Sequence, residues 1–182
     1  FLRVMNKRLF VGVFIDYSIF NNKLIQLRQD FDKVSIGKWV EDYNLHFTLK
    51  FIGDFPMEQI PELKSALSEH LTEYQEKLVF SGVSVLPNRK MPRVLYIDIQ
   101  TETNLLLEKF IIIDDICSDF GVKKENREFK PHLTLLRMKS VSNSFYRYLD
   151  KYSQEYFGTL TNFRIQLIDS VLTQSGPKYN II

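Results

Sequence analysis

The amino-acid sequence predicts a mixed fold of α-helices and β-strands, α+β or α/β, built from two similar halves. Two observations lead to this prediction. Segments of strand-like composition alternate with segments of helical periodicity along the 182 residues. In addition, a four-residue motif occurs twice, about half a chain length apart, which indicates an internal duplication. We treat residues 1–182 as one domain, because no low-complexity segment or linker divides them.

The first elements alternate between strand and helix. Residues 8–15 are rich in Val, Phe and Ile, which is typical of a buried strand. Ser18 is a candidate cap for a helix whose apolar face extends to Phe31. A second strand is predicted over 45–52, and we expect Gly53 to end it.

The middle of the chain predicts one more helix and two strands. Pro61 suits the first turn of a helix, and leucine and tyrosine residues recur at helical spacing from there to Leu78. Strands are predicted over 78–86 and 94–99, where Val, Ile and aromatic residues are frequent.

The last third predicts two helices and three strands. An apolar pattern over 103–120 indicates a helix, and Gly121 is a plausible stop. A polar loop over 123–130 leads to the next strand. The remaining predicted elements, in order, are a strand over 132–138, a helix over 143–156, strands over 160–166 and 168–173, and a turn over 175–177.

Bulk properties exclude several classes of protein. A net charge of +2 is too small for a broad surface that binds long duplexes, so any nucleic-acid contact is expected at one local site. No apolar run approaches the roughly 18 residues that a membrane-spanning helix needs. The single cysteine, Cys117, cannot form an internal disulfide and fits a reducing, cytoplasmic setting. Met5 is a candidate native start, so we interpret residues 1–4 as added or upstream sequence.

The repeated motif has the pattern His-x-Thr-Leu and occurs at residues 46–49 and 132–135. In a strand, residues i and i+2 point to the same face, so each histidine projects together with its threonine. The residues that alternate with them, such as Phe47 and Leu49, face the opposite way into the core. If the two halves pack around a pseudo-twofold axis, two imidazoles and two hydroxyls converge on one spot. They are contributed by His46, Thr48, His132 and Thr134.

This set of side chains fits displacement at phosphorus. Two histidines with near-neutral pKa can act as one base and one acid in the same turnover. Two threonine hydroxyls can donate hydrogen bonds to the non-bridging oxygens of a phosphate. No metal is required for this chemistry.

Two alternatives compete with the catalytic interpretation. A lone histidine in a strand is usually a satisfied core residue, although that explains one copy of the motif better than two. Zinc is the other alternative, but structural zinc sites usually need four Cys or His ligands and catalytic sites three protein ligands. The chain has only three histidines and one cysteine, and His70 is expected on the surface of a helix.

The sequence resembles the 2H phosphoesterase superfamily, and within it the RNA 2′,3′-cyclic phosphodiesterases, also called 2′-5′ RNA ligases. The resemblance covers most of the chain, with mild departures from the family pattern at Phe47, Tyr96 and Lys130, none of which removes a proposed catalytic group. The segments that carry it are 8–13, Trp39-Val40, 44–53, 92–96, 129–137 and 175–179.

The resemblance implies a bilobal α+β fold in which duplicated lobes with antiparallel sheets flank a central cleft. It implies hydrolysis of terminal 2′,3′-cyclic phosphates without a metal or nucleotide cofactor. It assigns His46 as the proton donor and His132 as the proton acceptor. It also implies that the 3′ oxygen leaves, which produces a 2′-phosphomonoester.

Four further residues are candidates for substrate binding. Arg137 follows the second motif, but its odd offset from His132 directs it to the opposite face unless the strand bulges. Lys130 belongs to a basic loop, and Tyr179 or Phe10 could stack on a base of single-stranded RNA. The expected partners are RNA ends with a 2′,3′-cyclic phosphate or small cyclic nucleotides, bound by a monomer. Two alternatives stay open: a non-catalytic RNA-end binding protein, and ATP-independent joining of RNA ends in the same cleft.

Overall fold

Two antiparallel sheets form the centre of the computed structural model, which describes residues 4–182. The strands are β1 (Asn6–Phe14), β2 (Ser35–Trp39), β3 (His46–Pro56), β4 (Glu73–Leu86), β5 (Val94–Thr101), β6 (His132–Val141), β7 (Tyr156–Arg164), β8 (Gln166–Thr173) and β9 (Gly176–Ile181). The helices are α1 (Lys23–Asp32), α2 (Ile60–Leu67), α3 (Leu105–Ser118) and α4 (Phe145–Lys151). The interpretation of residues 1–4 as added sequence lies, for residues 1–3, outside the described residues.

The two sheets repeat the same strand order. One, which we call the His46 sheet, has the order β3-β1-β8-β9, and the other, the His132 sheet, has the order β2-β6-β5-β4-β7. Without the edge strand β2, the second order corresponds strand for strand to the first, with β6 in the place of β3 and β5 in the place of β1. The prediction of an α+β fold with two pseudo-twofold lobes of antiparallel sheet is therefore confirmed.

The halves of the chain exchange elements between the sheets. Strand β4 ends the first half but pairs with β5 and β7 in the His132 sheet. Strand β8 comes from the second half but pairs with β1 in the His46 sheet. Helix α3, which connects β5 to β6, packs on β3, whereas α1 packs near β2 and α4. Each lobe is therefore completed by elements from the opposite half of the sequence.

The core is built from the inward-facing residues of both sheets. Phe47 and Leu49 on β3 and Leu133 and Leu135 on β6 are each at most 3% exposed, as the alternation of the repeated motif predicts. Cys117 is buried in the same core, and burial raises the pKa of its thiol to about 11, so it behaves as a small apolar residue.

Several predicted boundaries are wrong. Ser18 does not cap the first long helix. It lies in a 3-10 turn, where its backbone N–H donates to the Asp16 carboxylate. Asn21 and Asn22 then adopt left-handed conformations with φ of 47° and 66°, which separate this turn from α1. Gly53 does not end β3 but lies within it, at a register irregularity with φ of 83°.

Two helix ends were also misplaced, and two strands were missed. The helix that begins near Pro61 ends at Leu67, and the apolar residues up to Leu78 belong partly to β4. Helix α4 is shorter than predicted, because β7 starts at Tyr156. Strands β2 and β9 were not predicted at all. No helix in the described part of the chain is both long and apolar enough to cross a membrane.

Candidate active site

The four motif side chains line the cleft between the sheets. His46 and His132 are each the first residue of their strands, β3 and β6, and are partly exposed, as are Thr48 and Thr134. One cavity in the cleft is lined by His46 together with Thr134, and a neighbouring one by His132 together with Thr48. Each cavity thus combines groups from both halves, as the predicted pseudo-twofold packing requires.

Both histidine rings are held by the same kind of hydrogen bond. Nδ1 of His46 lies 2.7 Å from the carbonyl oxygen of Asn44, and Nδ1 of His132 lies 2.9 Å from that of Lys130. A carbonyl oxygen can only accept, so Nδ1 carries the proton and donates in each case. The remaining nitrogen, Nε2, is left as the group that exchanges protons with a substrate.

Aromatic rings surround the two imidazoles. Phe10 and Tyr179 each have their ring centroid 5.0 Å from that of His46, and the Tyr96 centroid lies 5.1 Å from that of His132. Phe10 is only 4% exposed, so it supports His46 more than it offers a free face for stacking. Tyr179 is partly exposed and lines the cleft.

The electrostatic environment disfavours the charged form of His46. Burial lowers its pKa below the usual value, and the positive charges of Arg137 and His132 lower it further, whereas the hydrogen bond to Asn44 opposes these effects. His46 therefore favours the neutral form more strongly than an exposed histidine does. An anion bound nearby would offset the charges that depress its pKa.

A bulge in β6 brings Arg137 to the cleft. Leu136 pairs with Leu95 and Thr134 with Tyr96, so Leu135 is an extra residue in β6. Because of this bulge, two consecutive leucines point into the core, and Arg137 emerges on the same face as Thr134. Arg137 lines cavities together with His46 and Tyr179. The strand bulge that Arg137 was expected to need in order to reach the cleft is therefore present.

The same bulge occurs at the equivalent point of β3. Lys50 pairs with Val11 and Thr48 with Gly12, so Leu49 is the extra residue there. Phe51 then occupies the position that corresponds to Arg137 and also faces the cleft. Sequence analysis missed this residue, although aligning the two motifs places it opposite Arg137.

Lys50, the counterpart of Leu136, was also missed. Its side chain is 5% exposed, and its ammonium lies 2.7 Å from the Asp114 carboxylate and 2.7 Å from the Lys123 carbonyl oxygen. Asp114 also accepts a hydrogen bond from the backbone N–H of Glu125. This buried cluster joins β3 and α3 to the basic loop that leads to His132.

The remaining candidates lie at the margins of the cleft. The Lys130 ammonium lies 5.9 Å from the centre of the Tyr96 ring, and Lys130 lines the His132 cavity. The Asn44 amide donates to the Pro177 carbonyl over 2.9 Å, which ties the segment before His46 to the start of β9. Among residues 4–182, no group of three or more His, Cys, Asp or Glu side chains is arranged to hold a metal ion.

Comparisons with known proteins agree with the fold and identify the family. Residues 18–96 match the family model described as LigT like Phosphoesterase. The chain is 33% identical over 178 residues to an RNA 2′,3′-cyclic phosphodiesterase of Aquifex aeolicus, covering 96% of this chain and 94% of that protein. It is 34% identical over 177 residues to one of Methanocaldococcus jannaschii, covering 96% and 98%.

A crystal structure of a Thermus thermophilus protein superposes with a TM-score of 0.76 at 22% identity, covering 96% of this chain and 94% of that one. This agreement shows that the bilobal fold is shared. The identities over nearly the full length of both relatives go further: the chain belongs to the LigT-like phosphoesterases, as an enzyme of the RNA 2′,3′-cyclic phosphodiesterase family.

Proposed function

We propose that this protein hydrolyses the 2′,3′-cyclic phosphate at the end of an RNA to a 2′-phosphomonoester, with two histidines and no metal. The observation that carries the proposal is the pair of His–Thr units on opposite walls of one cleft. In each unit, the backbone carbonyl two residues earlier fixes the imidazole and leaves Nε2 free. The names of the full-length relatives support the substrate class.

In the proposed reaction, His132 takes a proton from the attacking water. A bond forms from the water oxygen to phosphorus, and the bond from phosphorus to the ribose 3′ oxygen breaks. His46 gives its proton to that leaving oxygen. The attacking and leaving oxygens lie on opposite sides of phosphorus in such a displacement, so an acid and a base on opposite walls suit it.

The other cleft residues stabilise the charge on phosphate. Thr48 and Thr134 donate hydroxyl hydrogen bonds to the non-bridging oxygens, and the Arg137 guanidinium neutralises their charge. The lowered pKa of His46 does not conflict with its role as the acid. The bound phosphate is an anion, which favours the imidazolium form and raises the pKa of His46 in the complex.

The proposal includes a cytoplasmic monomer. A chain with a single buried cysteine fits a reducing compartment. The cleft is complete within one chain, since both histidines and both threonines come from it. Sedimentation at micromolar concentration should therefore give a mass near 21.6 kDa.

The proposed chemistry is tested by product analysis. Digestion of an RNA with a 2′,3′-cyclic phosphate end, in excess chelator, should yield the 2′-phosphomonoester, resolved from the 3′ isomer by phosphorus NMR. Predominant 3′-phosphate would mean that the 2′ oxygen leaves. Loss of activity in chelator, restored by one specific divalent ion, would refute the metal-free mechanism. Binding without any turnover would identify a non-catalytic RNA-end binding protein instead.

A further inference from the structure

The loop before β6 carries the carbonyl that fixes His132, yet it has no regular structure of its own. Residues 122–131 form neither helix nor strand, and we call them the His132 loop. Near its end, the Lys130 carbonyl accepts the hydrogen bond from Nδ1 of His132 over 2.9 Å. A carbonyl orients a ring only if its own position is fixed, so the loop needs support from the rest of the molecule.

The carbonyl partner of His46 is supported in a different way. Asn44 carries that carbonyl, and its own side-chain amide donates to Pro177, which anchors the residue directly. The Lys130 ammonium instead lies 5.9 Å from the centre of the Tyr96 ring. A long, flexible lysine stem constrains its own backbone weakly. The support for the Lys130 carbonyl therefore comes from other residues of the His132 loop.

A buried ion pair from outside the loop holds its first half. The Lys50 ammonium donates to the Lys123 carbonyl over 2.7 Å and lies 2.7 Å from the Asp114 carboxylate. Asp114 in turn accepts from the backbone N–H of Glu125 over 3.2 Å. Lys50 and Asp114 are only 5% and 7% exposed, and charge-assisted hydrogen bonds are strongest in such surroundings. Two backbone positions of the loop are thus fixed from β3 and α3.

The second half of the loop is held by the same helix. Phe129, next to Lys130, stacks on Phe110 of α3, with ring centroids 4.7 Å apart and planes inclined by 8°. Phe110 precedes Asp114 by one helical turn, so both contacts are made by one side of α3. The His132 loop therefore lies along α3, and Lys50 ties it to the His46 sheet.

We propose that Lys50 and Asp114 are positioning residues for His132. They hold the loop so that the Lys130 carbonyl keeps the proton on Nδ1 and leaves the lone pair of Nε2 for the attacking water. This inference rests on the proposed function, because it takes the role of His132 as proton acceptor from it. If the carbonyl moves away, the ring is free to turn and to carry its proton on Nε2. That form cannot accept a proton from the water.

The arrangement couples the two lobes in one direction. Lys50 lies on β3, two residues after Thr48, and its counterpart on β6 is Leu136, which cannot donate a hydrogen bond. The strand of the first motif thus sets the protonated nitrogen of the second histidine. The reverse contact, from β6 to the segment before His46, has no equivalent at position 136.

The test uses a variant that loses the pair without leaving a charge buried. Lys50→Met together with Asp114→Leu removes both contacts with the loop, and native circular dichroism should be retained because neither charge is left unpaired. On adenosine 2′,3′-cyclic phosphate, we expect kcat to fall by up to about 10²-fold, the loss that a misplacement of roughly 1 Å causes. KM should change little, because the groups proposed to bind phosphate are untouched.

Nitrogen NMR supplies a readout that a loss of stability alone does not produce. Two-bond ¹H–¹⁵N correlation spectra, at a pH where the imidazoles are neutral, show which ring nitrogen carries the proton. In the wild-type protein, His46 and His132 should both carry it on Nδ1. In the double variant, a population protonated on Nε2 should appear for His132, while His46 keeps the wild-type pattern. Asp114→Asn keeps the side-chain volume and weakens both contacts, so it should give the same changes to a smaller extent and replaces the double variant if that does not fold.

An ion pair near the other histidine provides a matched control. Arg28 lies 2.6 Å from Asp42, two residues before the Asn44 carbonyl that fixes His46. Arg28→Met should leave the ring nitrogen signals of His132 as they are in the wild type. The same change at His132 in this protein as in the double variant would show a general loosening of the fold and overturn the proposal.

Two further results would overturn the positioning role. One is a wild-type kcat in the folded double variant. The other is a His132 that stays protonated on Nδ1 alone, which would show that the Phe129 stack suffices to hold the carbonyl. The spectra need no turnover, so they separate this inference from the proposed reaction. If the wild-type protein hydrolyses no cyclic phosphate but His132 responds as expected, the positioning role stands and the proposed reaction fails.

Discussion

His46 and His132 are held by matching hydrogen bonds, yet their surroundings differ. His46 packs between Phe10 and Tyr179, and the pKa of His46 is depressed mainly by burial. His132 has one aromatic neighbour, Tyr96, and its Nδ1 bonds to a carbonyl in an exposed loop. The repeated motif makes the two residues equal in sequence. In the proposed mechanism, the difference between the acid and the base therefore comes from residues outside the motif.

Loss of either histidine should abolish most of the turnover. We expect His46→Ala and His132→Ala each to lower kcat by roughly 10²–10⁴, the usual contribution of a positioned acid or base. His70→Ala is the control, because His70 contacts Lys109 and lies outside the cleft. Initial rates on a 2′,3′-cyclic nucleotide would measure this. Near-normal kcat in either motif variant would contradict the acid–base assignment.

The pH profile should reveal the depressed pKa of His46. If His46 must be protonated to act, kcat/KM falls as the pH rises through the pKa of His46 in the free enzyme. Since that pKa is lowered, the fall should begin at a pH below the ordinary value of about 6.5. Arg137→Gln removes one of the charges that lower it, so the fall should move to higher pH even though binding weakens. Arg164, on β7 and away from the cleft, provides the control substitution.

A fall that stays in place in Arg137→Gln would show that Arg137 does not act on His46. The same shift in Arg164→Gln would point to a general change in charge.

At the scale of single elements, the buried pair of Lys50 and Asp114 holds strand β3, helix α3 and the basic loop together. Replacing Lys50 by Met leaves Asp114 buried without its cation. We expect the free energy of unfolding to fall by roughly 3–5 kcal/mol, as is typical when one partner of a buried ion pair is removed. The double change Lys50→Met and Asp114→Leu should recover much of this loss, because neither charge is then left unpaired.

Urea unfolding of the three proteins measures this effect. A Lys77→Met protein is a suitable comparison, since the Lys77 pair with Glu102 is exposed and such pairs contribute about 0–1 kcal/mol. A Lys50→Met protein as stable as wild type would mean that Asp114 is satisfied by its bond from Glu125 alone.

The individual elements also show which parts of the fold could be predicted from the sequence. Buried strands such as β1 and β6 were predicted because their sequences are rich in apolar residues, and these are the residues that pack in the core. The edge strand β2 was not, because its sequence, Ser-Ile-Gly-Lys-Trp, is mostly exposed and its pairing with β6 is set by the tertiary fold. The two bulges could not be predicted either, since alternating periodicity has no signal for one extra residue. They decide which side of the strand Phe51, Lys50 and Arg137 face.

At the scale of the whole molecule, the exchange of β4 and β8 makes the halves interdependent. Cutting the chain in the exposed loop between β4 and β5, after Lys90, gives fragments that contain one motif histidine each. Residues 1–90 would include β4 without its partners β5 and β7, and 91–182 would include β8 without β1. We expect each fragment to be largely unfolded alone, and a mixture of the two to recover native circular dichroism and part of the activity.

Cooperative unfolding of either fragment by itself would contradict this expectation. It would mean that a half of the chain can complete its own sheet without the exchanged strand. A mixture that stays unfolded would indicate that the loop connection, and not only the pairing of strands, is needed for assembly.

The carbonyl partners of the two histidines have a consequence for successive cycles of the proposed reaction. Each imidazole is bound by an uncharged oxygen, so no fixed carboxylate commits either ring to one charge state. When the product leaves, His132 holds the proton and His46 has lost its own, which is the reverse of the starting arrangement. The enzyme must return these two protons through solvent before it can act again. At low buffer concentration, this recovery step can limit the overall rate, and added buffer would then accelerate the enzyme without touching the chemistry at phosphorus.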